Sequence, residues 1–374
     1  MRYYNQQHRF YCGIDLHAST MYLCILDHAG QIVFHKDLPT DVDTFLEAIA
    51  SYREDLVVCC ECLFCWYWLA DLCHAQNIPF VLGHALYMRA IYGAKTKDDK
   101  IDSEKIARLL RGGNLPFAYA YPKGLRETRD LLRRRMYLVR KRAELITHVV
   151  NTNTQYNLPP FGKKLMYARN RKELNILKRF SDASVRTNIE LDLRLIDTLD
   201  ELINDAELYL TRTVKVDQPQ WYYLLNTIPG VGKILALVLL YEIHDISRFA
   251  SEGQFLSYAR LVRPLKRSAG KITGGGGGKI GNAYLKWAFS EAACLVVRCS
   301  EQAKRFLARK EKKHGKPKAL GILAARLGRT VYHMLRRNEA FNAQRFWNGE
   351  PRVKSAAGSG GRQVKKTTRR RCKV

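Results

Sequence analysis

Two stretches of this chain, residues 125–157 and 183–214, contain neither glycine nor proline, and Pro159-Pro160 and Pro219 follow them. With no breaker inside, each can run as one helix of about 30 residues, about 45 Å long at 1.5 Å per residue. In the second stretch Ile189, Leu193, Ile196, Leu199 and Ile203 recur at three- and four-residue spacing. That is the seam of an antiparallel pair or a coiled coil. A protruding helical arm over residues 123–218, used to dimerise, is the consequence.

The arm separates two units of different character. From Phe10, FYCGIDLHASTMYLCILD reads as one long strand or two paired ones, with a turn at His28-Ala29-Gly30 and a return strand IVFHKDL. Helical periodicity over 41–52 and 64–76 alternates with apolar strands at Leu56–Cys62 and Ile78–Leu82; two helices follow, the second spanning Asp99 to Arg111. Residues 1–122 are therefore expected to form an α/β domain with a mixed sheet. Residues 219–350 read as mostly α-helical and open with LLNTIPGVGKILALVLLYEI. There Pro229-Gly230-Val231-Gly232-Lys233 separates two apolar helical stretches, a helix-hairpin-helix-like pattern. Backbone N–H groups at Gly230 and Gly232, together with the helix start at Lys233, can hold a phosphate; a plain helical turn is the alternative. Residues 351–374 include Ser-Ala-Ala-Gly-Ser-Gly-Gly and Arg369-Arg370-Arg371 and are expected to be a disordered basic tail.

Charge narrows the partners. The 374 residues carry a net +28, and 47% of them are hydrophobic, which excludes a wholly disordered basic chain. Such an excess on a folded protein points to DNA, RNA or both. It is unevenly spread: residues 1–102 carry −5 and the remainder +33. Arg133-Arg134-Arg135 and Arg140-Lys141-Arg142 on the first long helix are candidate nucleic-acid contacts, a solvated helix face being the bland alternative. No run approaches about 18 apolar residues, and the first ten residues lack a leader's apolar core. A cytoplasmic protein without a membrane partner is expected, its cysteines reduced and mostly buried rather than zinc-bound.

Carboxylates in the acidic domain suggest chemistry. Asp15 lies on the first strand, Glu61 ends the strand DLVVCCEC, and Asp99 and Asp102 open a helix in KTKDDKIDSEKIA. Carboxylates three apart share a helix face, and one on a buried strand is costly unless paired or bound to metal. Four such groups from two strands and a closing helix suit a two-Mg2+ phosphoryl-transfer site; an acidic surface with an N-cap aspartate is the plain alternative.

In this order, the GIDLHAST strand, Glu61, KTKDDKID followed by Ile106-Ala107, the LLNTIPGVG turn and YARLVRPLKRSAGKITGGGGGKIGNAYLKWAF resemble the DEDD transposases of insertion sequences over nearly the whole chain. The resemblance implies a RuvC-like domain of RNase H fold, a coiled-coil arm and a C-terminal transposase domain. It makes Asp15, Glu61, Asp99 and Asp102 the four acids holding Mg2+, with Mn2+ as a substitute. Asp98, four before Asp102, competes with Asp99. The residues alone read Ser268, between Lys266-Arg267 and Lys271, as part of a phosphate-binding loop; the resemblance implies instead a nucleophile that forms a 5′-phosphoserine link to DNA. It further implies a non-coding guide (bridge) RNA that pairs with donor and target double-stranded DNA. Because the acids and the serine flank the arm in sequence, a composite site between protomers of a dimer or tetramer is expected. Two departures are the run Gly274 to Gly278, longer than the family's, and Arg260-Leu261 where the family shows glycine before leucine. Rival readings are a RuvC-like structure-specific endonuclease using metal-activated water and a non-catalytic RNA-binding scaffold.

Overall fold

Side chains on a strand alternate between faces, and residues 10–27 are apolar in both phases, so this segment needs a sheet covered on both sides. The computed structural model describes residues 2–91, 98–217, 219–263, 265–275 and 280–348. The expected tail and Gly276 to Gly278 lie outside them. After a short β1 (Tyr3–Tyr4), the apolar segment forms two strands rather than one, β2 (Phe10–Leu16) and β3 (Thr20–Asp27), antiparallel across a turn closed by His17 N–H to the Thr20 carbonyl at 2.9 Å. β4 (Ile32–Pro39) continues antiparallel, while β5 (Leu56–Glu61) and β6 (Phe80–Gly83) add parallel on the other side, giving the order β4-β3-β2-β5-β6. The short β7 (Leu115–Pro116) pairs with β1.

Helices cover the two faces. α1 (Val42–Ile49) and α2 (Tyr67–Ala75) bury Phe45, Ile49, Leu69 and Cys73 against Cys12, Ile14, Leu16, Val58 and Cys60. On the other face α3 (Ala85–Ile91) and α4 (Asp99–Arg111) pack Met88, Ile106, Leu109 and Leu110 against Tyr11, Val57 and Cys59. Cys12, Cys59, Cys60 and Cys73 are free thiols inside these layers, and burial pushes those of Cys12 and Cys60 well up. α4 crosses β2 at Gly13. A Cβ there would lie 2.3 Å from the Ala107 nitrogen and 2.5 Å from the Ser103 carbonyl oxygen, so backbone meets backbone and only glycine fits. Gly13→Ala must lift α4 off the sheet, and denaturant titration should show a loss of about 1–3 kcal/mol.

The arm is built from α5 (Leu125–Gln155) and α7 (Ala183–Asp217), 31 and 35 residues long. Arg135 bonds Glu207 (2.5 Å), Arg142 bonds Asp200, and His148 bonds Asp192 (2.5 Å); numbers rise on one helix as they fall on the other, so the pair is antiparallel. Val149, Ile189 and Ile196 are buried between them with Leu165 and Ile176 from the tip, where α6 (Ala168–Glu173) lies and Arg171 bonds Asp197 and Asp200, both at 2.5 Å.

The last unit surrounds α9 (Lys233–Ile243), whose residues from Leu235 to Ile243 are all buried. A helix apolar on every side belongs at a centre, and α8 (Pro219–Asn226), α11 (Ala283–Cys299), α5 and α7 pack on it. α10 (Glu252–Tyr258), α12 (Glu301–His314), α13 (Lys316–Arg337) and α14 (Ala343–Asn348) complete the layer. Between α10 and α11 projects a hairpin of β8 (Leu265–Ser268) and β9 (Lys271–Gly275). No helix among the described residues is long and apolar enough to cross a membrane.

Glu242, 1% exposed, is the charged residue inside α9. Arg133 Nε and Nη2 reach it at 2.6 and 2.9 Å and Arg129 Nε at 2.9 Å, with Asn282 Nδ2 at 2.7 Å. Burial raises its pKa, but the bonds from Arg133 and the charges of both arginines outweigh that and hold it below the usual value. A depressed carboxyl contributes stability above its unfolded pKa of about 4.3, lost as pH falls through the folded value. Glu242→Gln should therefore cost about 3–5 kcal/mol near neutral pH and flatten the acid limb of a melting-temperature profile.

Candidate metal centre in the sheet domain

Alternation along β2 decides which carboxylates can meet. Tyr11, Gly13 and Asp15 face α4, and because β5 runs parallel in register with Ile14 beside Cys60, Val57, Cys59 and Glu61 face it too. Asp15 and Glu61 thus end neighbouring strands on one face, the face whose close approach Gly13 permits. Asp15 is 8% exposed. Burial raises its pKa; His17 opposes that, and the nearby charges of Asp99 and Asp102 raise it further.

The α4 start sets the two neighbouring aspartates apart. Asp98 is the N-cap, its carboxylate accepting the Lys100 N–H at 3.0 Å. Asp99, in the first turn, points the other way, 3.6 Å from His17 Nε2, which is itself 3.5 Å from Asp15. One oxygen each from Asp15 and Asp99 and a ring nitrogen of His17 lie within 4.8 Å of one another. Asp102, one turn further along α4, is bonded to Lys105 Nζ at 2.8 Å. Glu61 shares the end and face of the sheet but stands outside the tight three-residue set.

His17 was not among the expected residues. It lies two after Asp15 in GIDLHAST, and strand alternation gives the signal: residues two apart share a face. Its Nε2 is buried with no hydrogen-bond partner, set between two carboxylates at distances too long for hydrogen bonds. Two carboxylate oxygens and an imidazole nitrogen are a donor set that fits a divalent cation. Asp99→Asn should weaken Mn2+ binding at least about tenfold. Asp98→Asn, which keeps the cap, should leave it unchanged, with titration calorimetry as the measurement.

The other expected site residues divide. Ser268 ends β8, exposed and paired with Lys271 across a two-residue turn in which Ala269 and Gly270 have φ of 46° and 75°. That is a tight hairpin tip of the left-handed kind. The side chains of Lys266 and Arg267 lie outside the described residues. Arg260, at φ 54°, occupies the left-handed region that explains why a glycine suits that position. Gly230, at φ 81°, is needed for packing, since a Cβ would lie 2.7 Å from the Leu295 backbone. Gly232 caps α9 and Lys233 is exposed. In the arm, Arg133, Arg135 and Arg142 are held by Glu242, Glu207 and Asp200, so these three serve internal packing, while Arg134, Arg140 and Lys141 are exposed. Lys141 pairs with Glu144 at 2.7 Å.

A mixed sheet with carboxylates at the ends of its two central strands and on the helix across them, joined to a mostly helical C-terminal unit, has the character of an RNase H-like nucleic-acid enzyme. The family comparisons bear on both halves. Residues 12–157 match a transposase model for the DEDD class of IS110 elements, and residues 222–308 match the transposase IS116/IS110/IS902 family. The transposase for insertion sequence element IS1111A of Coxiella burnetii (strain RSA 493 / Nine Mile phase I) is 22% identical over 338 residues, 88% of this chain and 90% of that protein. The chain belongs to the DEDD transposases of the IS110 family and is a DNA transposase, an enzyme of DNA recombination. The family implies DNA substrates and a divalent metal, for which the Asp15, His17, Asp99 cluster is a possible site.

Proposed function

We propose that this transposase is an RNA-guided recombinase whose nucleophile is Ser268, acting with Mg2+ at Asp15, Glu61, Asp99 and Asp102. The supporting observation is the placement of Ser268: exposed, at the tip of a hairpin, with the Lys271 cation directly across. Ser268 Oγ attacks a backbone phosphorus and the bond to the 3′ oxygen breaks. A 5′-phosphoserine link remains, and the proton lost by Ser268 is returned to the departing 3′ oxygen. Attack by another strand's 3′ hydroxyl reverses these changes and frees the serine. Ester is exchanged for ester, so no external energy source is needed. Asp15 and Asp99, with Asp102 and Glu61 beside them, would hold the cation, and His17 would add a nitrogen ligand. Bound there, a divalent ion supplies Lewis-acid polarisation of a phosphoryl oxygen.

Guidance by a non-coding RNA accounts for +33 of charge outside the acidic segment, since base pairing can read donor and target while the protein holds backbones. Arg134, Arg140, Lys141, Lys271 and the Gly230-Val231-Gly232-Lys233 turn are the proposed contacts, with Lys266 and Arg267 beside the serine. A dimer or tetramer with a composite site fits a second feature of the arm: Leu191, Leu195, Leu202 and Tyr209 form an exposed stripe along α7 at spacings of four and seven. Such a stripe suits a coiled-coil partner from another protomer.

A protein–DNA adduct resolved on a denaturing gel should form with the wild-type chain and vanish in Ser268→Ala; cleavage that persists with no adduct would establish the endonuclease instead. Asp15→Asn and Asp102→Asn should each lower DNA rearrangement at least about a hundredfold, whereas an RNA-binding scaffold would be indifferent to both. Replacing Arg134, Arg140 and Lys141 together by alanine should make the log–log salt dependence of nucleic-acid binding shallower by about 3.

A further inference from the structure

The hairpin that carries Ser268 leaves the domain through two adjacent backbone segments, and backbone and side-chain bonds fasten these to each other. At its root the Asn282 N–H donates to the Tyr258 carbonyl at 2.6 Å, and Arg260 Nε donates to the Ile280 carbonyl at 3.0 Å. Gly281, at φ 94°, lets the two segments close: a Cβ would lie 2.5 Å from the Tyr258 carbonyl oxygen. Asn282 itself is buried. Its Oδ1 accepts from the backbone N–H groups of Tyr284 and Leu285, at 2.9 and 3.0 Å, capping α11. Its Nδ2 donates to Glu242 Oε2 at 2.7 Å and, more weakly, toward the Tyr258 hydroxyl at 3.4 Å. Two acceptor sites and two donors are all in use, which is the full capacity of an asparagine side chain.

The cap needs only the oxygen of Asn282. Its amide nitrogen has a separate partner, and that partner is the carboxylate gripped by Arg129 and Arg133 from the arm. Arm, Glu242, Asn282 and hairpin root thus form one chain of short bonds in a buried interior, those to Glu242 charge-assisted, where such bonds are strong and directional. Arg133 also lies over the Tyr284 ring, 4.3 Å from its centroid, so the arm grips the start of α11 a second way.

We infer that Asn282 is a positioning residue for Ser268: through Glu242 it sets the root of the serine hairpin against the arm, so that the arm's seating fixes where the nucleophile points. The inference rests on the nucleophilic role given to Ser268 above. It assigns Asn282 and Glu242 a part in the rate of the covalent step and none in DNA affinity, because both are buried beneath the surface that DNA can reach.

The test uses the full chain with the RNA it retains on purification and a duplex bearing the ends of its own element. Asn282→Asp keeps both cap acceptors and removes both donors, placing a carboxylate against Glu242. At saturating DNA the rate of adduct formation should fall about ten- to a hundredfold, the range expected for a misplaced reacting group, while the DNA dissociation constant stays within about twofold. Glu242→Gln alone should slow the same step, because the Arg129 and Arg133 donors then meet one oxygen where they had two. If Asn282 acts through Glu242, the variant carrying both Asn282→Asp and Glu242→Gln should be no slower than the slower single variant, a coupling that a simple capping role would not produce. A wild-type rate in Asn282→Asp overturns the inference while leaving Ser268 as nucleophile. So does a double variant whose rate falls by the product of the two single losses. Absence of any Ser268-dependent adduct in the wild-type chain removes the nucleophile itself, and the inference with it.

Discussion

A carboxylate inside a helix that is apolar on every face is tolerated only when cations and hydrogen-bond donors meet it there. Glu242 in α9 obliges three distant parts of the chain to converge. Arg129 and Arg133, four apart on α5, must lie along α9, which fixes the base of the arm. Asn282 must start α11 at the same point. Tyr121, at the end of the segment leaving the sheet domain, donates its hydroxyl to the carbonyl of Glu242 itself at 2.6 Å, and Arg248 Nη2 approaches that carbonyl at 3.2 Å. A buried ion cluster adds little net stability over an apolar replacement. Its contribution here is geometric: with these partners required, the arm, the linker and the hairpin-bearing domain have one register in which all the charges are satisfied.

Much of the architecture was legible because it follows from periodicity and breakers. The arm helices extend through breaker-free sequence, and α7 runs on to Asp217 because nothing between Val214 and Asp217 stops it. Strand alternation within FYCGIDL already placed Gly13 and Asp15 on one face, and His17 follows in the same phase. What was illegible depended on partners remote in sequence. Arg133, Arg135 and Arg142 look like Arg134 and Arg140 in a basic run, and only the arrival of Glu242, Glu207 and Asp200 from other helices separates packing cations from exposed ones. Glu242 itself was visible as the acid in LALVLLYEI, but an acid at the end of an apolar run reads equally well as a surface position. The hairpin at Ser268 was hidden in its turn residues: Ala269 and Gly270 both adopt left-handed backbone, which alanine rarely does, and so close a tight turn.

The candidate metal centre depends on a constraint of a different kind, close approach. Only a strand without a side chain at 13 lets α4 settle so near the sheet, and only at that separation does the first turn of α4 stand over the end of β2. The N-cap then divides labour between adjacent aspartates. Asp98 must turn back to bond Lys100, so the helical position that follows carries Asp99 toward Asp15 and His17. Capping chemistry thereby brings Asp99, and not Asp98, beside Asp15 and His17, a placement that residue spacing alone left open.

The same view revises the meaning of the acidic excess in residues 1–102. Several of those acids are consumed by structure: Asp41 and Asp98 cap helices, Asp55 bonds His8 at 2.7 Å, Glu54 pairs with Arg9 at 2.6 Å and Asp71 with Arg126 of the arm. Asp15 and Asp99 instead converge on the His17 imidazole, with burial and the charge of Asp99 working against ionisation of Asp15. Like-charged groups gathered in a half-buried corner are costly unless a cation compensates them. The net −5 is therefore no measure of the site. Caps and ion pairs would leave an acidic surface of similar sign in a domain with no metal at all, whereas two carboxylates and an orphaned imidazole nitrogen held within 4.8 Å form a donor set that fits a divalent cation.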